Sequence, residues 1–409
     1  MREPEKPYFI CIGSWEHDRS GHELGIRIYR FSEEGFTLTD SAAADAFVGA
    51  MYFDADRKVL YCMDETETVP GKNAGGRVLS FAVDTEKGNV SQIGEVPACG
   101  SRTCSAAMDV TGQYLLVANH GGKRPVIRTV QDEKGDYHVL PEYDETNVVL
   151  YSLEADGAAG RIKDVRRHSG CGTPWPALQA HPHCVRAAPS GNLFCVCDKG
   201  ADALYFYRID YEKERIASCG SSPYRLEGGS APRYCVFHPC KKFLYVNYEG
   251  KNQISAFRYG QNGEIAPIQT VDILPEDLVF SDKEQRRRVQ SSDICIHPNG
   301  RYLYNITRGL NWVDVWQINQ ESGELTHKQR LELPAKQGGM DTIRGFALSP
   351  DARYLVVGIL TEDRVVVLHV SEEGLLSLSE KDAGIRPYHP ASLIFLQGGG
   401  PENDKNGRV

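Results

Sequence analysis

A tight turn running straight into an apolar strand recurs along this chain, and no other feature limits its possible folds so strongly. The clearest copy is His297-Pro298-Asn299-Gly300-Arg301-Tyr302-Leu303-Tyr304. Copies beginning at Pro189, Pro239 and Pro350 follow the same pattern, as does Val110-Thr111-Gly112-Gln113-Tyr114-Leu115, and a worn copy covers Ala55 to Cys62. Proline presets φ at the corner, Asn, Asp or Gly tolerates the left-handed position, and the aromatic and aliphatic run then enters a sheet. With Ala55, Val110, Pro189, Pro239, Pro298 and Pro350 taken as equivalent, successive copies lie 55, 79, 50, 59 and 52 residues apart. That is the length of a four-stranded blade rather than of a helical solenoid unit.

Each copy continues into a second alternating strand, such as Gly76-Arg77-Val78-Leu79-Ser80-Phe81 or Trp312-Val313-Asp314-Val315-Trp316, then a polar turn and a last edge strand. No window sustains a 3.6-residue period, so few helices are expected. Six copies predict six blades. A seventh is assembled from both ends of the chain: Tyr8 to Ser14, Gly25 to Phe31 and Phe36 to Ser41 supply three strands, and Pro390 to Leu396 the fourth. Closing the ring this way leaves no open sheet edge. The sequence therefore predicts an all-β, seven-bladed β-propeller occupying residues 8–397 as one domain. The longest step holds an insertion at about 121–180, charged and then rich in Gly and Pro, expected as a flap near the channel mouth. Residues 398–409 are expected to form a disordered tail.

A net charge of −9 argues against a nucleic-acid partner or an anionic membrane surface. No apolar run reaches the ~18 residues that cross a bilayer. Met1 to Pro7 is charged and lacks the apolar core of a signal peptide, so a cytoplasmic protein with reduced thiols is expected. The 12 cysteines include no CxxC pair; Cys195 and Cys197, two apart, suit one strand face better than a zinc knuckle.

In a propeller the innermost strand of each blade lines a central channel, so the residues just before each turn are the ones placed for chemistry. They read His181-Pro182-His183-Cys184, Ala231-Pro232-Arg233-Tyr234, Ser291-Ser292-Asp293-Ile294 and Thr342-Ile343-Arg344-Gly345. An ordinary inner strand would be small or apolar here. A second ring comes from the ends of the following strands: Asp64 and Glu65, Asn119 and His120, Asp198, Glu249 and Arg308. His181 and His183 share a strand face, where a neutral imidazole can act as general base. The bland alternative is a channel histidine bonded to water. His181, His183 and Asp293 could supply some metal ligands, but the neighbouring arginines repel a cation, so no metal is expected. Arg233, Arg308 and Arg344 make a positive pocket for carboxylate or phosphate, or else close salt bridges to Asp198, Glu249 and Asp293.

At these residues the chain resembles the lactonase family of seven-bladed propellers, which includes propeller-type bacterial 6-phosphogluconolactonases and fungal 3-carboxy-cis,cis-muconate lactonising enzymes. The resemblance runs from Tyr8 to Leu396. The family's PHxHS motif corresponds to Ala180-His181-Pro182-His183-Cys184, so its second histidine falls on His183. Its GPRH corresponds to Ala231-Pro232-Arg233-Tyr234, and its strand-end glutamate to Glu249, 16 residues after Arg233. VANYGG reads Val117-Ala118-Asn119-His120-Gly121-Gly122, and SNRG reads Ile306-Thr307-Arg308-Gly309. The chain departs from the pattern at Tyr234 for histidine, at Asp293 for the longer acid of AEI, and at Ile343-Arg344-Gly345-Phe346 for PRHF.

The resemblance implies a hydrolase of carbohydrate metabolism that needs no cofactor and opens a sugar or sugar-acid lactone, 6-phosphogluconolactone first. It gives His183 the role of base, Glu249 that of orienting the base or its water, and Arg233 that of stabilising an oxyanion or enolate. His181, Asp293, Arg308, Arg344 and Asn119 are the expected contacts to a small phosphorylated or carboxylated lactone. A carboxymuconate-type cycloisomerase would use the same groups but protonate carbon. A non-catalytic binding platform is the third alternative, because fold alone does not fix function; its distinctive residues would lie on the outer faces.

Overall fold

The computed structural model describes residues 8–397 apart from 17–21, 23, 33, 68–74, 123–124, 173–178, 190, 337–341 and 380–382. The expected tail at 398–409 lies outside the described residues. Seven antiparallel sheets of four or five strands make the blades of a propeller. Their innermost strands are Val48–Asp54, Thr103–Met108, Pro182–Ala187, Pro232–Phe237, Gln290–Ile296, Ile343–Leu348 and Pro390–Phe395. Each packs against the next, and the last returns to the first. One short α-helix, Lys283–Arg288, is found among the described residues, and no described helix is long and apolar enough to cross a membrane.

The repeated turns work as local hydrogen-bond devices. The Asp109 carboxylate accepts from the amides of Thr111, Gln113 and Tyr114, and the His238 imidazole accepts from those of Cys240 and Lys241. Gly300 takes a left-handed φ of 71°, a conformation that costs glycine little. Between blades, buried tyrosines join neighbours. Tyr61, Tyr245 and Tyr304 bury their rings, and each hydroxyl donates to a turn carbonyl of the next blade: Gly157 at 2.6 Å, Gly323 at 2.9 Å and Gly374 at 3.0 Å. The ring supplies apolar area and the hydroxyl finds the partner that burial demands.

Tyr8–Ser14 pairs with Ile26–Ser32 on one side and with Pro390–Phe395 on the other, so both ends of the chain share one blade. The expected insertion at 121–180 needs correction. Thr146–Leu153 and Ala159–His168 are the two outer strands of the second blade, paired onto Tyr114–Asn119. Their apolar run, Val148 to Tyr151, was hidden between a charged stretch and a Gly-rich one. What leaves the blade is a two-stranded ribbon, Val126–Gln131 with Tyr137–Glu142, which springs from the segment after Asn119.

One irregularity recurs in every blade. The pairing of the inner strand slips between Val48 and Ala50, Thr103 and Ser105, Pro182 and Cys184, Pro232 and Tyr234, Ser291 and Ile294, and Ile343 and Phe346. The closing blade slips opposite Pro390 and Ser392. A β-bulge leaves a residue unpaired and re-aims its side chain. Seven bulges at one level therefore decide which side chains face the channel mouth.

Candidate active site

The bulges build a first tier: Gly49, Cys104, His183, Arg233, Ser292, Arg344 and Ala391. A second tier follows the second strand of each blade: Trp15, Glu65, His120, Lys199, Glu249, Arg308 and Leu360. In six blades the second-tier N–H donates to the carbonyl just before the inner strand, as Lys199 does to His181 and Glu249 to Ala231. The shared bond holds the two tiers at a common height.

The charged members form two clusters. Glu249 meets three cations: Lys199 through its ammonium, Arg233 Nε at 3.0 Å and Arg308 at 3.2 Å. Arg233 also donates to the Ser292 carbonyl at 2.8 Å and lies 4.8 Å over the Tyr234 ring. Across the mouth, Arg344 donates to both oxygens of Glu65 at 3.0 and 3.2 Å and stacks 3.7 Å over Trp15. Among the described residues, four cations thus meet two carboxylates at this mouth. Burial pushes the Glu249 carboxyl upward, but Lys199, Arg308 and Arg233 outweigh it and hold the group well below the usual carboxylate range. Buried positive charge is costly unless an anion joins it.

His183 stands beside this cluster, buried. Burial first, then the charges of Arg233, Lys199, Arg344 and Arg308, push its pKa well below that of an ordinary imidazole, so it is neutral at pH 7. Its Nδ1 is buried without a hydrogen-bond partner among the described residues. Aromatic edges position the ring instead, Tyr234 at 5.2 Å and His120 at 5.8 Å. Glu249 was expected to orient this base or its water; its oxygens meet three cations, and no bond joins it to His183 among the described residues.

His181 belongs to the wall of the site. Its Nδ1 meets the His120 carbonyl at 2.7 Å, its ring stacks on His120 at 4.3 Å, and its backbone N–H donates to Asp198 at 2.7 Å. Asp198 itself is taken up by His181, Ala201 and His168, the last at 2.6 Å, and makes no arginine salt bridge among the described residues. Asn119, an expected substrate contact, is fully buried. It donates to the Ala98 carbonyl at 2.7 Å and to Asn147 at 2.8 Å, and accepts from Thr103 at 2.8 Å. One amide hydrogen is used inside the second blade and the other on the segment that leads into it, so Asn119 staples the fold. Asn119→Ala should cost about 1–3 kcal/mol of stability, by leaving buried partners unpaired, with KM unchanged. Denaturant unfolding and initial rates on the same variant check both halves.

Asp293 sits one step below the first tier, because Ser292 takes the bulge position equivalent to Arg233. It lines a cavity of about 50 Å³ with Arg186, Tyr234 and Ser105, and the same cavity reaches Arg344, Gly49 and Cys104 of the first tier. Burial raises its carboxyl, against the lowering effect of Arg186. The structure thus brings together His183, Arg233, Glu249 and Arg308, sets Arg344 opposite them, and leaves Asp293, His181 and Asn119 outside the charged cluster. It adds Lys199, which sequence reasoning missed by stopping one residue short at Asp198.

Comparison with known proteins agrees with this architecture. The family described as lactonase, 7-bladed beta-propeller, matches residues 9–387. The chain is 25% identical over 393 residues to 6-phosphogluconolactonase of Bacillus subtilis (strain 168), covering 95% of this chain and 98% of that protein. It is 27% identical over 360 residues to 6-phosphogluconolactonase of Cronobacter sakazakii, covering 86% and 90%. Its fold is similar to that of the periplasmic gluconolactonase PpgL of Pseudomonas aeruginosa, with a TM-score of 0.78, 21% identity, and 95% and 99% of the two chains covered. By a match that spans nearly all of its length and by its seven closed blades, this chain belongs to the lactonase family of seven-bladed β-propellers.

Proposed function

We propose that this chain hydrolyses a sugar lactone bearing an anionic group at the channel mouth, with 6-phosphogluconolactone the leading substrate, and that it does so in the cytoplasm. The observation that carries this reading is a neutral histidine with a buried ring nitrogen that has no hydrogen-bond partner among the described residues, beside a cation-rich cluster. The relatives' names fit lactone opening, and twelve unpaired thiols suit a reducing compartment.

The chemistry follows from the parts. His183 takes a proton from water, and the hydroxide adds to the lactone carbonyl carbon. The carbonyl oxygen becomes an oxyanion facing Arg233, whose charge stabilises it most in the transition state. The ring C–O bond then breaks, and the leaving alkoxide takes the proton back from His183, giving the open hydroxy acid. Arg308 with Lys199, and Arg344 from across the mouth, hold the phosphate or carboxylate. Glu249 keeps the three cations together rather than acting on the water. A binding platform is disfavoured because the unusual residues converge on the channel.

Initial rates on phosphorylated and plain aldonolactones and on muconate derivatives, with spontaneous opening subtracted, test the reading. The phosphorylated lactone should be preferred by about 10- to 100-fold in kcat/KM, the worth of one or two charge-assisted contacts. Turnover of muconates alone would establish the cycloisomerase instead, and no turnover of either would establish the platform. A second expectation concerns binding. A phosphorylated product at 100 times its Kd should stabilise the fold by about 2.7 kcal/mol through mass action. Arg308→Ala should shrink the resulting rise in Tm; an unchanged rise would place the phosphate elsewhere.

A further inference from the structure

We propose that the seam between the third and fourth blades holds a thiophilic metal ion, Zn2+ or Cu+, on Cys184, Cys197 and Cys235, with Cys195 as a fourth thiol in reach. This site is separate from the catalytic mouth and does not rest on the lactonase reading. Cys184 lies in Pro182–Ala187, Cys195 and Cys197 in Phe194–Asp198, and Cys235 in Pro232–Phe237 of the next blade. Cys184 and Cys197 are direct cross-strand partners, and Cys195 shares the face of Cys197. The sulfurs of Cys184, Cys197 and Cys235 lie within 4.8 Å of one another, and all three residues are buried. Cys195 is within hydrogen-bonding reach of Cys197 and Cys235. Tetrahedral Zn–S bonds of about 2.3 Å place sulfurs about 3.8 Å apart, so shifts of under about 1 Å would close the site.

The fold itself does not demand thiols there. At the register of Cys197 other blades place Met63, Ala118 and Asn247. At that of Cys195 they place Tyr61, Leu116 and Tyr245. Side chains of several kinds fill this level of a seam, yet among the described residues only here do thiols from three strands converge. Each ligating thiol would lose its proton, so loading would accompany folding. The resulting negative charge has a counterion at hand, since the Arg186 guanidinium acts on both Cys184 and Cys235. The ion would also brace the two catalytic strands, because Cys184 follows His183 and Cys235 lies two residues beyond Arg233.

The test is metal content. Protein from cells supplemented with zinc, or separately with copper, is purified reduced and without chelators, and its metal is measured by mass spectrometry. About one equivalent per chain is expected, falling roughly tenfold or more in Cys197→Ala and Cys235→Ala. Cys295→Ala, whose thiol packs in a different cluster, should keep it. Whichever supplement loads the protein identifies the ion. Cobalt-grown wild type should in addition show thiolate-to-cobalt charge-transfer absorption, a signature that survives even if the variants do not fold. Folded wild type carrying less than about a tenth of an equivalent of either metal, with no such absorption, overturns the proposal.

Discussion

Changing His183 to alanine is expected to lower kcat by about 100- to 10,000-fold while the propeller stays folded. The side chain is held by the edges of Tyr234 and His120 and makes no hydrogen bond that another residue depends on among the described residues. Its removal therefore takes away the proton acceptor and little else. KM should change less than kcat, because the anion is held by Arg308, Lys199 and Arg344. His181→Ala should act differently: it removes a ring stacked on His120 and a bond to the His120 carbonyl, so stability should fall before turnover does. Assays belong at mildly acidic pH, where spontaneous lactone opening is slow. A His183→Ala protein with wild-type circular dichroism and undiminished turnover would remove His183 from the mechanism.

Glu249→Gln is expected to destabilise the fold by about 3–5 kcal/mol, the usual cost of removing one partner from a buried charge cluster. Among the described residues this carboxylate is the one acid that pairs with all of Lys199, Arg233 and Arg308, and its side chain is 7% exposed. The amide would remove the charge that these three cations share. Chemical denaturation reads this directly; a change under about 0.5 kcal/mol would mean that the cations relax into solvent. The pH dependence has a definite sign. The folded-state pKa of Glu249 is depressed, so its contribution is complete above about pH 4.3, the unfolded carboxyl value, and is lost as pH falls further. His183 is neutral in the fold, so the unfolded chain gains the proton first, and stability also declines as pH drops below about 6.5. The acid-sensitive part below pH 4.3 should be smaller in Glu249→Gln than in the wild type.

The propeller was legible because its turns repeat: each Pro, Asn, Gly or Asp corner announces the same hairpin, and the two ends supplied the missing strands. Thr146–Leu153 and Ala159–His168 escaped because a charged ribbon and a Gly-rich loop on either side broke the spacing. At the site, the interval of 16 residues from Arg233 to Glu249 was visible, but its generality was not. The same interval joins Gly49 to Glu65, Cys104 to His120, His183 to Lys199, Ser292 to Arg308 and Arg344 to Leu360. It measures the hairpin from bulge to strand end, and applied to His183 it would have found Lys199. It would also have shown Ser292, not Asp293, to be level with Arg233. What no spacing reveals is which residue a buried acid pairs with. Asp198 turning to His168, and Glu249 to three cations, are tertiary outcomes.

The most direct test of a neutral base in a cation-rich mouth is the pH profile of kcat/KM on a turned-over lactone, from about pH 4.5 to 7.5 with background subtracted. Burial and four nearby cations keep His183 unprotonated far below the ordinary imidazole value of about 6.5. The rate should therefore pass through pH 6.5 without a step and decline only well below it. A limb centred near 6.5 would contradict a desolvated His183, and a low-pH limb that persists unchanged in His183→Ala would assign the titration to another group.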